Sequence, residues 1–254
     1  MPRIARKDSQ SCYYHIMIQG INREYIFEKE EYIKEFQKII IKKLEESKVI
    51  ILAYCIMNNH AHFLIYSEKS EYLSKYMQKV NTSYSQFYNN AKKRVGYVFR
   101  DRYRSQEIMS SQQLYTCLRY IHNNPVKADI VKKMEDYKYS SYTEFINRSA
   151  RKIINEDGIK LIFGTKKGFE EQFYYIHRQY CSEENLLEVK EKSIEEVIGK
   201  IESKYNKKID ILKENRKILE EIIKEAREQT DIKIVELARI LDMSKSKVWT
   251  YTKK

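Results

Sequence analysis

Proline and glycine are scarce in this chain: its 254 residues include two prolines, Pro2 and Pro125, and six glycines. So few breaking residues leave room for long regular elements. Cysteine is thinly spread as well. Cys12, Cys55, Cys117 and Cys181 lie far apart with no Cys-x-x-Cys pair, which excludes a zinc knuckle or a disulfide framework and suits a reducing, cytoplasmic location. No stretch reaches 18 apolar residues, and the charged Met1–Lys7 has no apolar region behind it, so neither a transmembrane helix, a signal peptide nor a membrane partner is expected.

Positive charge is plentiful. The chain carries 48 Lys+Arg against 36 Asp+Glu, a net +12, together with 22 tyrosines. Basic residues interleaved with aromatics suit nucleic acid better than a lipid surface, because bases stack on aromatic faces. A generally basic protein rich in Lys, Ile and Asn shares this composition, so the functional argument rests on the motifs. The length suffices for one large domain or two modest ones.

Cys12–Ile21 reads as a first strand, closed by Gly20 and Asn22. Over 28–46, Tyr32, Ile33, Phe36, Ile40 and Leu44 recur at helical spacing. Val49–Met57 and His60–Tyr66 form two strands joined by Asn58-Asn59. Leu73, Met77, Val80, Tyr84, Phe87 and Tyr88 place a second helix over 71–92. Beyond Gly96, alternation over 97–108 predicts a fourth strand with Arg100, Arg102 and Arg104 on one face. Ser110 or Ser111 caps a third helix that runs to Asn124, where Pro125 disfavours its continuation. Strand, helix, strand, strand, helix, strand is the split βαβ order of an α+β, ferredoxin-like antiparallel sheet.

The expected organisation is a first domain over 1–145, a connecting helical segment over 146–180, and a helical domain over 181–254. Ser193-Ile194-Glu195-Glu196 has capping-box form. Asp231 to Lys253 reads as a helix-turn-helix, with Asp242 where such turns usually hold Gly and Ser244 capping the second helix, Lys245–Lys253. Ser244, Lys245 and Lys247 are its candidate contacts to duplex DNA. An ordinary helical pair would show the same pattern.

The candidate chemistry centres on His60-Ala61-His62. On a strand the two imidazoles point the same way. A lone His-x-His is ordinarily a pair of polar residues on a wet edge; two residues of the third helix change that balance. Tyr120 and Asn124, four apart, share one face of it. If that face covers the sheet where the histidines emerge, His60, His62 and the Asn124 oxygen can hold a divalent ion, Mg²⁺ or Mn²⁺ by donor type, beside the Tyr120 phenol as nucleophile. Lys92, Lys93, Arg94, Arg100, Arg102 and Arg104 are positioned to track a DNA backbone, though a solvated face would look the same. His15 and His177, alone in the sequence, read as structural.

Met57-Asn58-Asn59-His60-Ala61-His62-Phe63-Leu64-Ile65, Asn81-x-x-Tyr84, Gly96-Tyr97-Val98-Phe99-x-x-Arg102-Tyr103-Arg104-Ser105 and Tyr120-Ile121-His122-Asn123-Asn124-Pro125-Val126-Lys127-Ala128 resemble, in order, the motifs of the REP-associated tyrosine transposases, within the HUH single-strand nucleases. The resemblance spans roughly residues 8 to 145. It departs in Asn58, where Pro is more frequent, and in Ala61, where a larger residue is usual. It implies a ferredoxin-like nuclease core, His60 and His62 as metal ligands, Tyr120 as nucleophile and Asn124 as candidate third ligand.

The expected activity is that of a metal-dependent endonuclease and strand transferase acting on single-stranded or hairpin DNA through a 5′-phosphotyrosine, with duplex DNA as a further partner of the tail and a homodimer compatible with it. The alternatives are a non-catalytic DNA-binding repressor or architectural protein using that tail, and a metal-dependent hydrolase that releases its product.

Overall fold

The structure is a computed structural model that describes residues 8–150, 152–164, 168–179, 194–229, 232 and 234–251. The chain divides into two compact units, Met1–Leu187 and Glu188–Lys254.

The first unit is built on four antiparallel strands, β1 (Tyr13–Gln19), β2 (Ile50–Ile56), β3 (His60–Tyr66) and β4 (Arg104–Glu107), in the order β2-β3-β1-β4. Between them run α1 (Glu30–Leu44) and α2 (Ser70–Ala91), and α3 (Ser111–Lys127) comes after β4. β1 pairs with β3 so that Gln19 faces His60, Met17 faces His62 and His15 faces Leu64. Directly opposed residues share a face, and successive residues alternate. One face of the sheet therefore carries Ile16, Ile18, Ala61, Phe63 and Ile65. It packs beneath α1 and α2, with the Phe36 ring 6.3 Å from Phe63 and 4.9 Å from Tyr84. The opposite face carries His15, Met17, Gln19, His60 and His62, and α3 lies against it.

The predicted fourth strand over 97–108 is only partly formed. β1 advances three residues from Met17, paired with Arg104, to Gly20, bridged to Phe99, whereas the partner segment spans five. Two residues are thus surplus, and Arg100–Tyr103 bulges off the sheet. Phe99 and Tyr103 stay buried, but Arg100 and Arg102 form no strand stripe with Arg104.

The third helix does not stop before Pro125. Ser110 caps it, its hydroxyl accepting from the Gln113 N–H at 3.2 Å. Pro125 lies in its last turn, where only one helical bond is lost to the missing N–H. The Ala128 N–H still reaches the Asn124 carbonyl at 3.0 Å, and the chain leaves in the left-handed conformation at Asp129, φ 54°.

The segment expected to connect two domains instead completes the first unit. α4 (Tyr142–Ile146), α5 (Glu156–Phe163) and α6 (Phe169–Arg178) put Phe145, Ile159, Ile162, Phe163, Phe169 and Phe173 into the same core as the sheet. Phe145 and Phe173 stack at 4.9 Å. Glycines at 158, 164 and 168 obscured this amphipathicity in the sequence.

The second unit has its own core. α7 (Ile194–Tyr205), α8 (Ile209–Leu212), α9 (Arg216–Gln229), α10 (Ile234–Ile240) and α11 (Lys245–Tyr251) bury Val197, Ile201, Ile222, Ile223, Leu237, Leu241 and Val248 together. Ser193 of the expected capping box, Asp231 and the end of the last helix beyond Tyr251 lie outside the described residues.

Candidate active site

β3 presents His60 and His62 on the sheet face under α3, both buried. The rings stand 5.1 Å apart and nearly perpendicular, at 89°. Each ring is held by its Nδ1. That of His60 is 2.6 Å from Asn59 Oδ1, and that of His62 is 3.0 Å from His15 Nε2. Since Asn59 Oδ1 can only accept, His60 Nδ1 donates and His60 Nε2 keeps its lone pair. Both Nε2 atoms are buried without a hydrogen-bond partner. Buried polar atoms are normally paired, so two unpartnered ring nitrogens on neighbouring histidines of one sheet face fit a cation as their common partner.

Burial also keeps these rings neutral. It depresses His60 to about 4, and His62 well below its ordinary value with help from the neighbouring rings and Arg104. His15 falls to about 3, through burial first and the Arg104 charge second. Neutral imidazole is the form that ligates metal.

α3 brings Tyr120 onto this cluster. Its ring is 5.5 Å from His62 and 5.7 Å from His15, edge-on to both, and the side chain is 3% exposed. Lys127 Nζ lies over the same ring at 5.1 Å. Asn124, one turn on, is half-buried, and its Nδ2 donates to the Tyr120 carbonyl at 2.9 Å, which leaves Oδ1 as the atom suited to a cation. His122 points away and binds Ser141 and His177. Among the described residues no cluster of three His, Cys, Asp or Glu side chains forms, so further ligands to an ion at the histidine pair would be neutral oxygens or the substrate's own phosphate.

Residues 8–124, which carry the histidine pair and the tyrosine, match the family described as Transposase IS200 like. The match takes in somewhat under half of the chain. A curated Haemophilus influenzae protein provisionally named a REP-associated tyrosine transposase is 26% identical over 140 residues, covering 51% of this chain and 78% of that protein. A solved structure of a REP-associated tyrosine transposase bound to a REP hairpin aligns with 60% of this chain and 90% of that one, at 18% identity and a TM-score of 0.49. The matched family is one of transposases, and the similarity supports an enzyme.

The basic residues singled out in the sequence separate into groups. Arg104, exposed on β4, lies on the histidine face, opposite Met17. Arg100 and Arg102 sit on the bulged segment. Lys92 pairs with Glu28, and Arg94 with Glu24, so these two are partly neutralised; Lys93 is exposed at φ 50°. In the second unit, Ser244 Oγ accepts from the Lys247 N–H at 3.3 Å at the start of α11, and Lys245 is exposed.

Two residues of the site escaped sequence reasoning. His15 supports His62, and Gln19 faces His60 with its Nε2 buried and unpartnered. Both lie on β1 with the parity of the histidine face, but only the β1–β3 register, absent from a one-dimensional pattern, brings them there.

No helix among the described residues is long and apolar enough to cross a membrane.

Proposed function

We propose that the chain is a metal-dependent single-strand DNA endonuclease and strand transferase that acts on hairpin DNA through a 5′-phosphotyrosine. The observation that carries this is the Tyr120 ring packed against His62, beside two buried imidazole nitrogens with nothing to bind. The succession of β1 to β4 with α1 and α2, in the order β2-β3-β1-β4, supports the split βαβ, ferredoxin-like reading of the sheet.

His60, His62 and Asn124 would hold Mg²⁺ or Mn²⁺. Such an ion, when bound, withdraws charge from a non-bridging phosphate oxygen and orients the group for in-line attack. Tyr120 Oη forms the new bond to phosphorus as the P–O3′ bond breaks. The proton released by the phenol is made good at the leaving oxygen by one taken from solvent, so that it departs as a 3′ hydroxyl, and the 5′ phosphate stays on Tyr120. A second 3′ hydroxyl reverses these steps and completes strand transfer. Arg104, on the same face, is placed to counter phosphate charge. The name of the Haemophilus relative directs the substrate search to repeat-derived hairpins.

The second unit supports an added duplex-binding role. Asp242, just past α10, is in the left-handed conformation, φ 52°, and Ser244 caps α11, which suits the turn of a helix-turn-helix. A repressor using this tail alone is the competing reading.

A covalent-adduct assay separates them. Purified protein is mixed with hairpin-bearing single-stranded oligonucleotides labelled at the 3′ end, in Mn²⁺ or Mg²⁺ against EDTA, and run on a denaturing gel. The expected result is labelled protein, lost with EDTA and with Tyr120→Phe. Native binding without an adduct across a broad hairpin pool, abolished by Lys245→Glu with Lys247→Glu, would favour the repressor.

A further inference from the structure

A trough of about 830 Å³ runs between α2 and the segment 96–103, which includes the bulge. Two asparagines strap that segment across the helix. Asn81 Nδ2 donates to the Arg102 carbonyl at 2.8 Å, and Asn89 Nδ2 donates to the Gly96 carbonyl at 2.9 Å. Ser74 Oγ and Tyr103 OH add a third tie at 2.9 Å. The wall is thus fixed before any ligand arrives, which lowers the ordering cost of binding.

The floor is chemically unusual for this protein. One third of the chain is charged, yet α2 from Val80 to Ala91 contains no charged residue. Gln78, Thr82 and Gln86, four apart and exposed, line the trough as one row of amide and hydroxyl groups. Such groups both donate and accept, as the edges of nucleobases do. On the opposite wall Tyr97 is 83% exposed, so most of its ring is open to a stacking partner, while Arg100 and Arg102 supply positive charge. Base edges, a stacking face and phosphate partners are what an unpaired strand requires. A duplex hides the Watson–Crick edges and the faces of its bases, and the volume lies in the range of clefts for small ligands, about 300–1,000 Å³. The wall is also tied to the histidine face: the Arg100 N–H donates to the Gln19 carbonyl at 2.9 Å, and Gln19 faces His60.

We propose that this trough binds a few unpaired nucleotides of single-stranded DNA, with Tyr97 as stacking platform and Gln78 and Gln86 as base-edge contacts. The proposal rests on the strand-transfer reading, because it supposes that the occupant is part of the strand presented to Tyr120.

The test is fluorescence anisotropy of the full chain with labelled mixed-sequence single-stranded 20-mers and an equal-length duplex, in EDTA. It compares wild type, Tyr97→Ala, Gln78→Ala with Gln86→Ala, and the exposed control Tyr175→Ala, which lies away from the trough. All altered side chains are exposed, so folding is preserved. Tyr97→Ala should weaken single-strand binding at least about fivefold. The double variant should change the ranking among sequences, and the control should change neither. A 4-thiothymidine strand should crosslink within residues 78–103. Variants that bind single strands within twofold of wild type, or a trough-dependent affinity confined to the duplex, overturn the proposal. Absence of any single-strand binding by wild type overturns both this proposal and the strand-transfer reading. Trough-dependent binding without an EDTA-sensitive adduct supports the trough and counts against strand transfer alone.

Discussion

His15 Nε2 lies 3.0 Å from His62 Nδ1, and the two rings stack 5.1 Å apart with neither reaching solvent. One ring must donate to the other. With His62 Nδ1 as donor, the lone pair of His62 stands on Nε2, beside the lone pair that Asn59 imposes on His60. A supporting hydrogen bond of this kind fixes both the tautomer and the orientation of a metal-binding imidazole. His15→Ala should therefore weaken Mn²⁺ binding about 10- to 100-fold, measured by titration calorimetry. Adduct formation should recover at high Mn²⁺. Unchanged affinity would make His15 a packing residue only.

Gly20 positions the other histidine through the backbone. Its N–H donates to the Asn59 carbonyl at 2.8 Å, and the side chain of Asn59 holds His60. A Cβ on Gly20 would fall 2.3 Å from the Glu24 carbonyl oxygen, which no side-chain rotation relieves. Gly20→Ala should cost about 1–3 kcal/mol in urea denaturation, as overpacking does, and weaken Mn²⁺ binding in parallel. A variant that is destabilised but binds metal normally would separate the turn from the site.

The alternation of β3 and the four-residue spacing of Tyr120 and Asn124 each resolve to one local element, and both were legible in the sequence. Long-range register was not. His15 looked solitary because its partner is 47 residues away, and His177 because it bonds His122 from another helix. The stripe of Arg100, Arg102 and Arg104 came from alternation, which carries no information about the two surplus residues that bulge off the sheet. Pro125 suggested a helix end, but a last-turn proline forfeits too little bonding to impose one. In α5 and α6 the apolar positions are real, but interruption by glycines hid their common period.

Glu144 anchors the helices that complete the first unit. It is 3% exposed; one oxygen accepts from Tyr54 OH at 2.7 Å, the other from the N–H groups of Lys152, Ile153 and Ile154 at 3.1, 3.0 and 2.9 Å. Glu144→Ala strands four donors and should destabilise the unit by about 3 kcal/mol or more. Tyr54→Phe removes one and should cost about 1 kcal/mol. Equal losses in chemical denaturation would contradict the anchoring role.

His122 and His177 make stability depend on pH. His122 Nδ1 is 2.8 Å from His177 Nε2, and His122 Nε2 is 2.7 Å from Ser141 Oγ. Burial, then the neighbouring His177, holds His122 well below its ordinary value; burial lowers His177 to about 4, against the pull of its bond to the Phe173 carbonyl. The unfolded chain takes up protons near pH 6.5 while the folded chain resists until about 4. Stability is therefore full above pH 6.5, falls between 6.5 and 4, and levels off for His177 below that. His177→Gln should flatten the slope of the melting temperature over this window, and an unchanged slope would assign the dependence to other groups.

Asp242 ends α10 in a conformation that favours glycine. Its φ is 52°; its own N–H donates to the Arg239 carbonyl at 3.2 Å, and that of Met243 donates to the Ala238 carbonyl at 2.8 Å. These are the two bonds of a Schellman closure with Asp242 at its left-handed position. A side chain there is tolerated in Asp and costs nothing in Gly. Asp242→Gly should raise the stability of the second unit by up to about 1 kcal/mol, and Asp242→Ala should lower it, because Ala has the steric penalty without the polar compensation. Hydrogen exchange of the α10 and α11 amides reads both effects directly. If Gly and Ala were equivalent, the turn would be held by packing of Leu241 and Val248 rather than by its backbone, and the helix-turn-helix reading would lose its geometric support.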